Sequence, residues 1–251
     1  MIRSTFIFLD GISHTTEKTI WHNGIYDWSK FLLSKEVPGI SKKRKSYFDM
    51  KINNAKKHLM NEDSSYFSKI LPKKHHWRLF PEFCDKCIYL DIEISGVDDG
   101  YITCISLFDG YNTMTFVKGF NLDLKHIKKT LSNYKMIITF NGNVFDIPFL
   151  KKKQKDLIPD IPCWDLRHSC AQLGLKGGLK QIEKLLAIKR PNKIVQDLHG
   201  GDPIKLWRTY LATGDRYYLE LLVEYNQEDV INLKTIADKV FPLLIQHSRS
   251  E

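Results

Sequence analysis

An α/β fold built on a mixed sheet is what this sequence predicts, and three observations carry the prediction. A buried apolar strand at 88–94 is followed by two further strand patterns separated by turn residues, which makes an antiparallel meander. A helix then leads into a fourth apolar strand at 135–140, and a crossover of that kind lays the new strand parallel to the first. From 148 onward apolar residues recur at helical spacing, ending in a long segment at 216–246. The expectation is three antiparallel strands plus parallel strands, flanked by helices, over residues 84–251, preceded by a basic, mostly helical extension over 1–83.

The composition sets outer bounds. The chain has 251 residues, 43% hydrophobic and 27% charged, enough for a core that needs neither disulfides nor metal merely to fold. A formal net charge of +9 suggests a polyanionic partner. No apolar run approaches the roughly 18 residues that span a bilayer, so no membrane association is expected. Residues 1–4 lead into a short apolar patch closed by Asp10, without a small-residue cleavage site, which reads against a signal peptide. Five cysteines, an odd number, point to reduced thiols and a cytoplasmic location.

In chain order, Leu9-Asp10-Gly11-Ile12 is a glycine turn before a short helix that Thr15 or Thr16 can cap. It resembles the start of a helix-hairpin-helix, although Ser13 stands where that module prefers a second glycine. A phosphate-contacting hairpin and a small packing unit both remain open. Ser41-Lys42-Lys43-Arg44-Lys45 opens a basic helical stretch that Lys73-Lys74-His75-His76-Trp77-Arg78 closes. Such a run is either a solvated face or a track for a nucleic-acid backbone, with Trp77 as a stacking surface. On the second reading Lys42, Lys43, Arg44, Lys45 and Trp77 contact nucleic acid. His75 and His76 are adjacent, lack the spacing for shared metal ligation, and are expected on the surface. Cys84-Asp85-Lys86-Cys87 is half of a zinc pattern without a second pair, so ordinary thiols are the expectation.

The strand at 88–94 is interrupted by Asp91 and Glu93, which lie two apart and therefore share a face. Two carboxylates projecting together from an apolar strand are costly unless a cation holds them, and a hard divalent ion suits carboxylate oxygen. The plainer alternative is an edge strand whose acids face water. Gly96-Val97-Asp98-Asp99-Gly100 and Asp109-Gly110-Tyr111-Asn112 mark the turns to strands at 101–107 and 113–118, and a helix at 122–131 precedes the parallel strand. Asn141-Gly142 then makes a tight turn, and Asp146 starts the next helix, where the dipole favours a carboxylate. Helical patterns at 148–154, 166–173, 179–186, 203–213 and 216–246 are separated by Gly177-Gly178, Gly200-Gly201 and Gly214-Asp215. On the last helix Tyr225 and Asp229 are four apart and share a face, while Glu228 points elsewhere and is expected to be solvated.

In order and spacing, Asp91-x-Glu93, Asp146 within Asn141-Gly142-Asn143-Val144-Phe145-Asp146-Ile147-Pro148, and Tyr225-x-x-x-Asp229 resemble the DnaQ-like DEDDy 3′–5′ exonucleases of the ribonuclease-H-like fold. The match is closest to the YprB-like branch, which the Gly178-Leu179-Lys180 helix with Glu183 also resembles. The resemblance implies two divalent ions, Mg²⁺ or Mn²⁺. Asp91, Glu93 and Asp229 would hold one, and Asp91 with Asp146 the other, while Tyr225 orients the attacking water. It adds Asn141 to the nucleic-acid contacts and makes Asp165 a structural or supporting acid. Ile94 and Ser95 replace the Thr often found after the acid pair, and Glu224 replaces the His of the sister subtype. The implied function is exonucleolytic hydrolysis of DNA, or also of RNA, in repair or nucleic-acid processing. A ribonuclease H or structure-selective endonuclease on the same fold, and a catalytically silent binding module, are the alternatives. Nucleic acid is the expected partner, DNA ahead of RNA; a helicase feeding the site and the oligomeric state stay open.

Overall fold

The computed structural model describes residues 1–96, 100–198 and 202–250. The turn signals at 97–99 and 200–201 lie outside the described residues.

Five strands form one sheet in the order β3-β2-β1-β4-β5. They are β1 (Cys87–Ile94), β2 (Ile102–Phe108), β3 (Thr113–Val117), β4 (Met136–Thr139) and β5 (Cys163–Asp165). β1 pairs antiparallel with β2 and parallel with β4, and β4 pairs parallel with β5, so the expected mixed sheet is present. The second parallel strand, β5, has no position legible in the sequence, because three residues cannot display a period. Helix α6 (Leu124–Leu131) makes the crossover from β3 to β4, and α7 (Asp146–Lys153) follows β4.

Alternation along β1 sorts its side chains cleanly. Ile88, Leu90, Ile92 and Ile94 pack with Ile127, Leu131 and Leu150 of the helices on one face. Tyr89 joins the opposite layer, with Leu233, Ile236, Ala237 and Val240 of the last helix. Asp91 and Glu93 therefore project toward that helix. It is α12 (Arg216–Ser250), preceded by α8 (Leu166–Gln172), α9 (Leu179–Leu185), α10 (Lys193–Asp197) and α11 (Asp202–Thr213). Its residues Val230, Leu233, Ala237, Val240 and Leu244 recur at three- and four-residue steps and are buried. Among the described residues no helix is long and apolar enough to cross a membrane.

Before β1 come α1 (His14–His22), α2 (Trp28–Leu33), α3 (Lys42–Met60), α4 (Ser64–Ile70), a 3-10 segment (Lys73–Leu79) and the short α5 (Phe80–Phe83). Ser13, rather than Thr15 or Thr16, caps α1: its hydroxyl accepts from Thr16 N at 3.2 Å. The residue that looked like a missing glycine is the N-cap. The first twelve residues are tied down by groups from three later elements. Trp21 Nε1 donates to Ser4 O and Trp28 Nε1 to Thr5 O. Glu17 accepts from Phe6 N at 2.6 Å, and Arg78 Nη1 reaches Glu17 Oε2 at 2.8 Å and Thr5 Oγ1 at 3.0 Å. One apolar cluster runs from Ile2 and Phe6 through Trp77 and Phe83 to Trp164 and α12, so the basic extension shares a core with the sheet.

That packing overturns three surface expectations. Trp77 is 3% exposed, with its ring edge-on to Phe241, and has no face to offer a base. His75 and His76 are buried; the His76 ring bridges Leu71 O and Cys163, at 3.1 Å each. An indole and two imidazoles beside a lysine pair read as surface in sequence, but the 3-10 segment turns them inward onto β5 and α12.

Candidate active site

Each acid arrives by a different local rule. The pleat of β1 aims Asp91 and Glu93 at α12, and the helical repeat aims Tyr225, Asn226 and Asp229 back at the strand. Carboxylate oxygens of Asp91, Glu93 and Asp229 lie within 4.8 Å of one another, the first two acids half-buried and the third buried. Asp146 opens α7, at the end of the loop after β4. That loop turns sharply: Asn141 has φ 66°, a left-handed conformation that Asn tolerates. A Cβ at Gly142 would stand 2.5 Å from Thr139 side-chain atoms, so only glycine fits there. Asp165 holds the turn, accepting from Asn141 N at 2.8 Å and Asn143 N at 3.1 Å, and also caps α8. Asp146 Oδ1 then accepts from Ile92 N at 3.2 Å, the amide lying between Asp91 and Glu93 in sequence. The fourth acid is thereby fixed beside the other three.

The electrostatics are those of crowded anions. Burial, and then the charges of Asp229, Asp146 and Glu93, push Asp91 well above the usual carboxylate range, while a hydrogen bond from Asn226 opposes the shift. Burial and the charges of Asp229 and Asp146 do the same to Glu93. Asp146 is pushed up to about 7, mainly by burial. Asp229 reaches about 6, because burial raises it and the Arg190 charge pulls it down. Burial first, and the charges of Asp229, Glu93 and Asp91 after it, hold the Tyr225 phenol protonated.

Three neighbours organise the acids, and sequence reasoning did not single out two of them. Asn226 Nδ2 donates to Asp91 Oδ2 at 2.6 Å, while its Oδ1 accepts from the Cys104 thiol. Arg190 lies between α9 and α10; its Nη2 reaches Asp229 Oδ1 at 2.5 Å and Glu183 Oε1 at 2.7 Å, and its Nη1 lies 3.8 Å from Glu228. Glu183, noted only through the family resemblance, also accepts from Asn232 Nδ2 at 2.9 Å. Burial works against the Arg190 charge, but Asp229 and Glu183 more than offset it and its pKa rises. The guanidinium lies 5.5 Å from the Tyr225 ring centre and the Lys180 ammonium 5.1 Å from it, holding the phenol by cation–π attraction. Glu228, expected in water, is instead buried next to Arg190, since α9 and the 190–192 segment cover that side of α12. Asn226 was findable, three residues before Asp229 on the same helix face. Arg190 was not: it sits in an aperiodic stretch before Pro191.

This donor set suits a divalent cation. The three converging acids each offer a carboxylate oxygen, the donor that Mg²⁺ and Mn²⁺ prefer. Among the described residues no Lys or Arg lies within salt-bridge reach of Asp91, Glu93 or Asp146, and the one guanidinium at Asp229 is shared with Glu183 and Glu228. Negative charge is in excess where three carboxylates converge.

The residues expected to touch nucleic acid are not gathered here. Lys42 sits 3.6 Å from Glu36, Arg44 donates to Asp10 O at 2.8 Å, and Lys43 is exposed on the same turn of α3. Lys45 corrects the expectation of an open charge: it is buried against Phe31 and bonded to both Asp49 oxygens, at 2.6 and 2.8 Å. Of that set only Asn141 stands in the loop that leads to Asp146.

A family model described as RNase_H superfamily matches residues 88–241, more than half of the chain. No curated protein matches. Among solved structures, 13 chains match, one of them the family B DNA polymerase from the hyperthermophilic archaeon Pyrobaculum calidifontis. That likeness has 15% identity and a TM-score of 0.49, over 66% of this chain and 27% of the polymerase chain. Matched from β1, which carries the first acid pair, through the Tyr225–Asp229 turn of α12, the chain belongs to the RNase_H superfamily.

Proposed function

We propose that this protein is a divalent-metal-dependent 3′–5′ exonuclease of the DnaQ-like DEDDy type, close to the YprB-like branch, acting on DNA ahead of RNA. Membership in the superfamily supports a nuclease of this fold. The observation that carries the finer reading is the convergence of Asp91, Glu93 and Asp229 within 4.8 Å, with Asp146 bonded to the amide between the first two.

Asp91, Glu93 and Asp229 would hold one Mg²⁺ or Mn²⁺, and Asp91 with Asp146 a second. Such ions, when bound, supply charge stabilisation to the attacking and leaving oxygens of a phosphodiester. The chain's own residues do the rest. Asn226 occupies Asp91 Oδ2 and leaves Oδ1 for ligation. Arg190 and Glu183 hold Asp229 in one orientation. Tyr225, kept protonated, positions the attacking water through its hydroxyl rather than serving as a resting base.

The test is digestion of 5′-labelled and 3′-labelled DNA and RNA, single- and double-stranded, with Mg²⁺ or Mn²⁺. A 3′–5′ exonuclease shortens 5′-labelled strands stepwise and stalls at a 3′-phosphorothioate end. Internal cuts that ignore the blocked end would replace this reading with an endonuclease.

A further inference from the structure

The lysines that would guide a substrate are better sought next to the acid site than on α3. Two hollows flank the 3-10 segment, one against β5 and α8 and the other against α1, α12 and the end of α8, and mark out a seam. The first, about 260 Å³, begins at Asn143 and Val144, in the loop that delivers Asp146, and continues past Lys73, Lys74 and His168. The second, about 330 Å³, takes up at His75 and Gln172 and reaches Lys18 and His14 of α1. Among the described residues the one carboxylate lining either is Asp165, and both its oxygens already accept from backbone amides of Asn141, Asn143 and Arg167.

Among the described residues, Lys43 is the one cation of the 42–45 run without a hydrogen-bond or ion-pair partner in the chain, and the others are engaged. Lys42 and Lys45 have Glu36 and Asp49 as partners, and Arg44 is spent on Asp10 O. Among the described residues no carboxylate lies within salt-bridge reach of Lys18, Lys73 or Lys74. An ammonium without an internal counter-ion is the one that gains most from a phosphate. The seam is thus cationic, concave and continuous with the loop that carries a site acid. Its hollows have room for a phosphate and its sugar, not for a duplex.

We propose that this seam binds the sugar–phosphate backbone of the single strand whose end enters the acid cluster, with Lys73, Lys74 and Lys18 as its phosphate contacts. The substrate assignment rests on the nuclease reading above; binding along the seam does not.

The test compares the full chain with a Lys18→Gln/Lys73→Gln/Lys74→Gln variant and a Lys42→Gln/Lys43→Gln variant. Affinity for a fluorescent oligothymidylate is measured in chelator across a salt series, with hydrolysis of a small nitrophenyl phosphodiester with Mn²⁺ measured beside it. The seam variant should bind about tenfold or more weakly at low salt, with its log–log salt slope reduced by about 0.7 per lost contact, or about 2 in all. The α3 variant should keep the wild-type slope. Since the small ester has no backbone to lie along the seam, the seam variant should hydrolyse it at the wild-type rate. A Lys73→Arg/Lys74→Arg protein, with charge kept, should bind like wild type; if it binds as weakly as the glutamine variant, or if the glutamine variant keeps the wild-type slope, the seam is not the track. Wild type that fails to bind the oligonucleotide at low salt overturns it as well. Loss of slope in a protein that hydrolyses no ester would sink the nuclease reading and leave the seam standing.

Discussion

Among the described residues two arginines are buried, and they do opposite things with their charge. Arg78 is fully enclosed, flanked by the Trp77 and Trp21 rings at 5.4 and 6.0 Å, and meets a single carboxylate, Glu17. Burial lowers its pKa and raises that of Glu17, each group losing more from desolvation than the other returns. One positive and one negative charge are matched, and the pair fastens the first turns of the chain to the body. Arg190 faces Glu183, Asp229 and Glu228, and beyond Asp229 stand Asp91, Glu93 and Asp146. Here the negative charge is in surplus. A matched pair closes a structure, whereas a surplus of carboxylates leaves negative charge of the kind that suits a divalent cation.

The largest effects should fall on the unmatched centre and leave the fold alone. Asp91→Asn, Glu93→Gln and Asp229→Asn should each reduce cleavage to background; in chelator the first two should melt at or above the wild-type temperature, because each removes repulsion along with a ligand oxygen, whereas Asp229→Asn also breaks the Arg190 ion pair and should melt lower. A variant that still cuts within tenfold of wild type takes its residue out of the site. Tyr225→Phe keeps the ring between its cationic neighbours and loses only the hydroxyl. Turnover should drop by about 10²–10⁴-fold with substrate affinity preserved. Wild-type single-turnover rates in that variant would reduce Tyr225 to core packing.

Sequence patterning exposed one of these centres far better than the other. Asp91, Glu93, Tyr225 and Asp229 were legible because a pleat and a helical repeat fix which side chains share a face, whatever else surrounds them. Asp146 was legible as a helix start. The antiparallel meander and the parallel fourth strand followed from turn spacing and the helical crossover, whereas the three-residue β5 had no pattern to show. Arg78 and Glu17 gave no signal: they are 61 residues apart in segments without a shared period, and each alone resembles a solvated charge. Arg190 escaped for the same reason. The buried 3-10 segment was misread as surface because Lys73, Lys74, His75, His76 and Arg78 are polar, and only packing against β5 and α12 reveals that four of its seven residues turn inward after the lysines before Leu79 completes it. Pairings across long sequence separations are set by tertiary contact, not by local pattern.

The matched pair should show itself in stability. Arg78→Met strands the Glu17 carboxylate in the core and should cost about 3–5 kcal/mol, while Arg78→Met/Glu17→Gln should recover part of that by removing both charges. At roughly 2–4 °C per kcal/mol the single variant is easily seen by calorimetry. Its residual folded protein should still gain from metal. With Mn²⁺ at a hundredfold its dissociation constant, wild type and Arg78→Met should each gain about 2.7 kcal/mol over chelator, and Asp91→Asn should gain far less. If wild type melts identically with chelator and with Mn²⁺, no metal centre forms in solution; if only Arg78→Met loses the increment, the two centres are not independent.

The smallest effect concerns acid, and it separates the centres by sign. His75 lies three residues before Arg78, and burial first, then the charges of Arg78, His14, Lys74 and His168, hold its imidazole down to about 3 against an ordinary 6.5. Between those values the unfolded chain binds the proton and the folded protein does not. Its contribution to stability is therefore complete above about pH 6.5 and drains away as pH falls, at up to about 1.4 kcal/mol per pH unit. Asp146 acts in the reverse sense in chelator: with its folded pKa raised to about 7, chiefly by burial, the folded protein binds the proton more readily and gains stability as pH drops toward the ordinary carboxylate value. The two slopes oppose each other in the wild-type curve, so the difference between proteins is the measurement. From pH 7.5 to 5.5 His75→Gln should lose about 1.4 kcal/mol less than wild type, a few degrees in melting temperature. Parallel curves for the two proteins would mean that His75 takes up its proton without leaving the fold, and the N-terminal centre would then be less tightly closed than its geometry indicates.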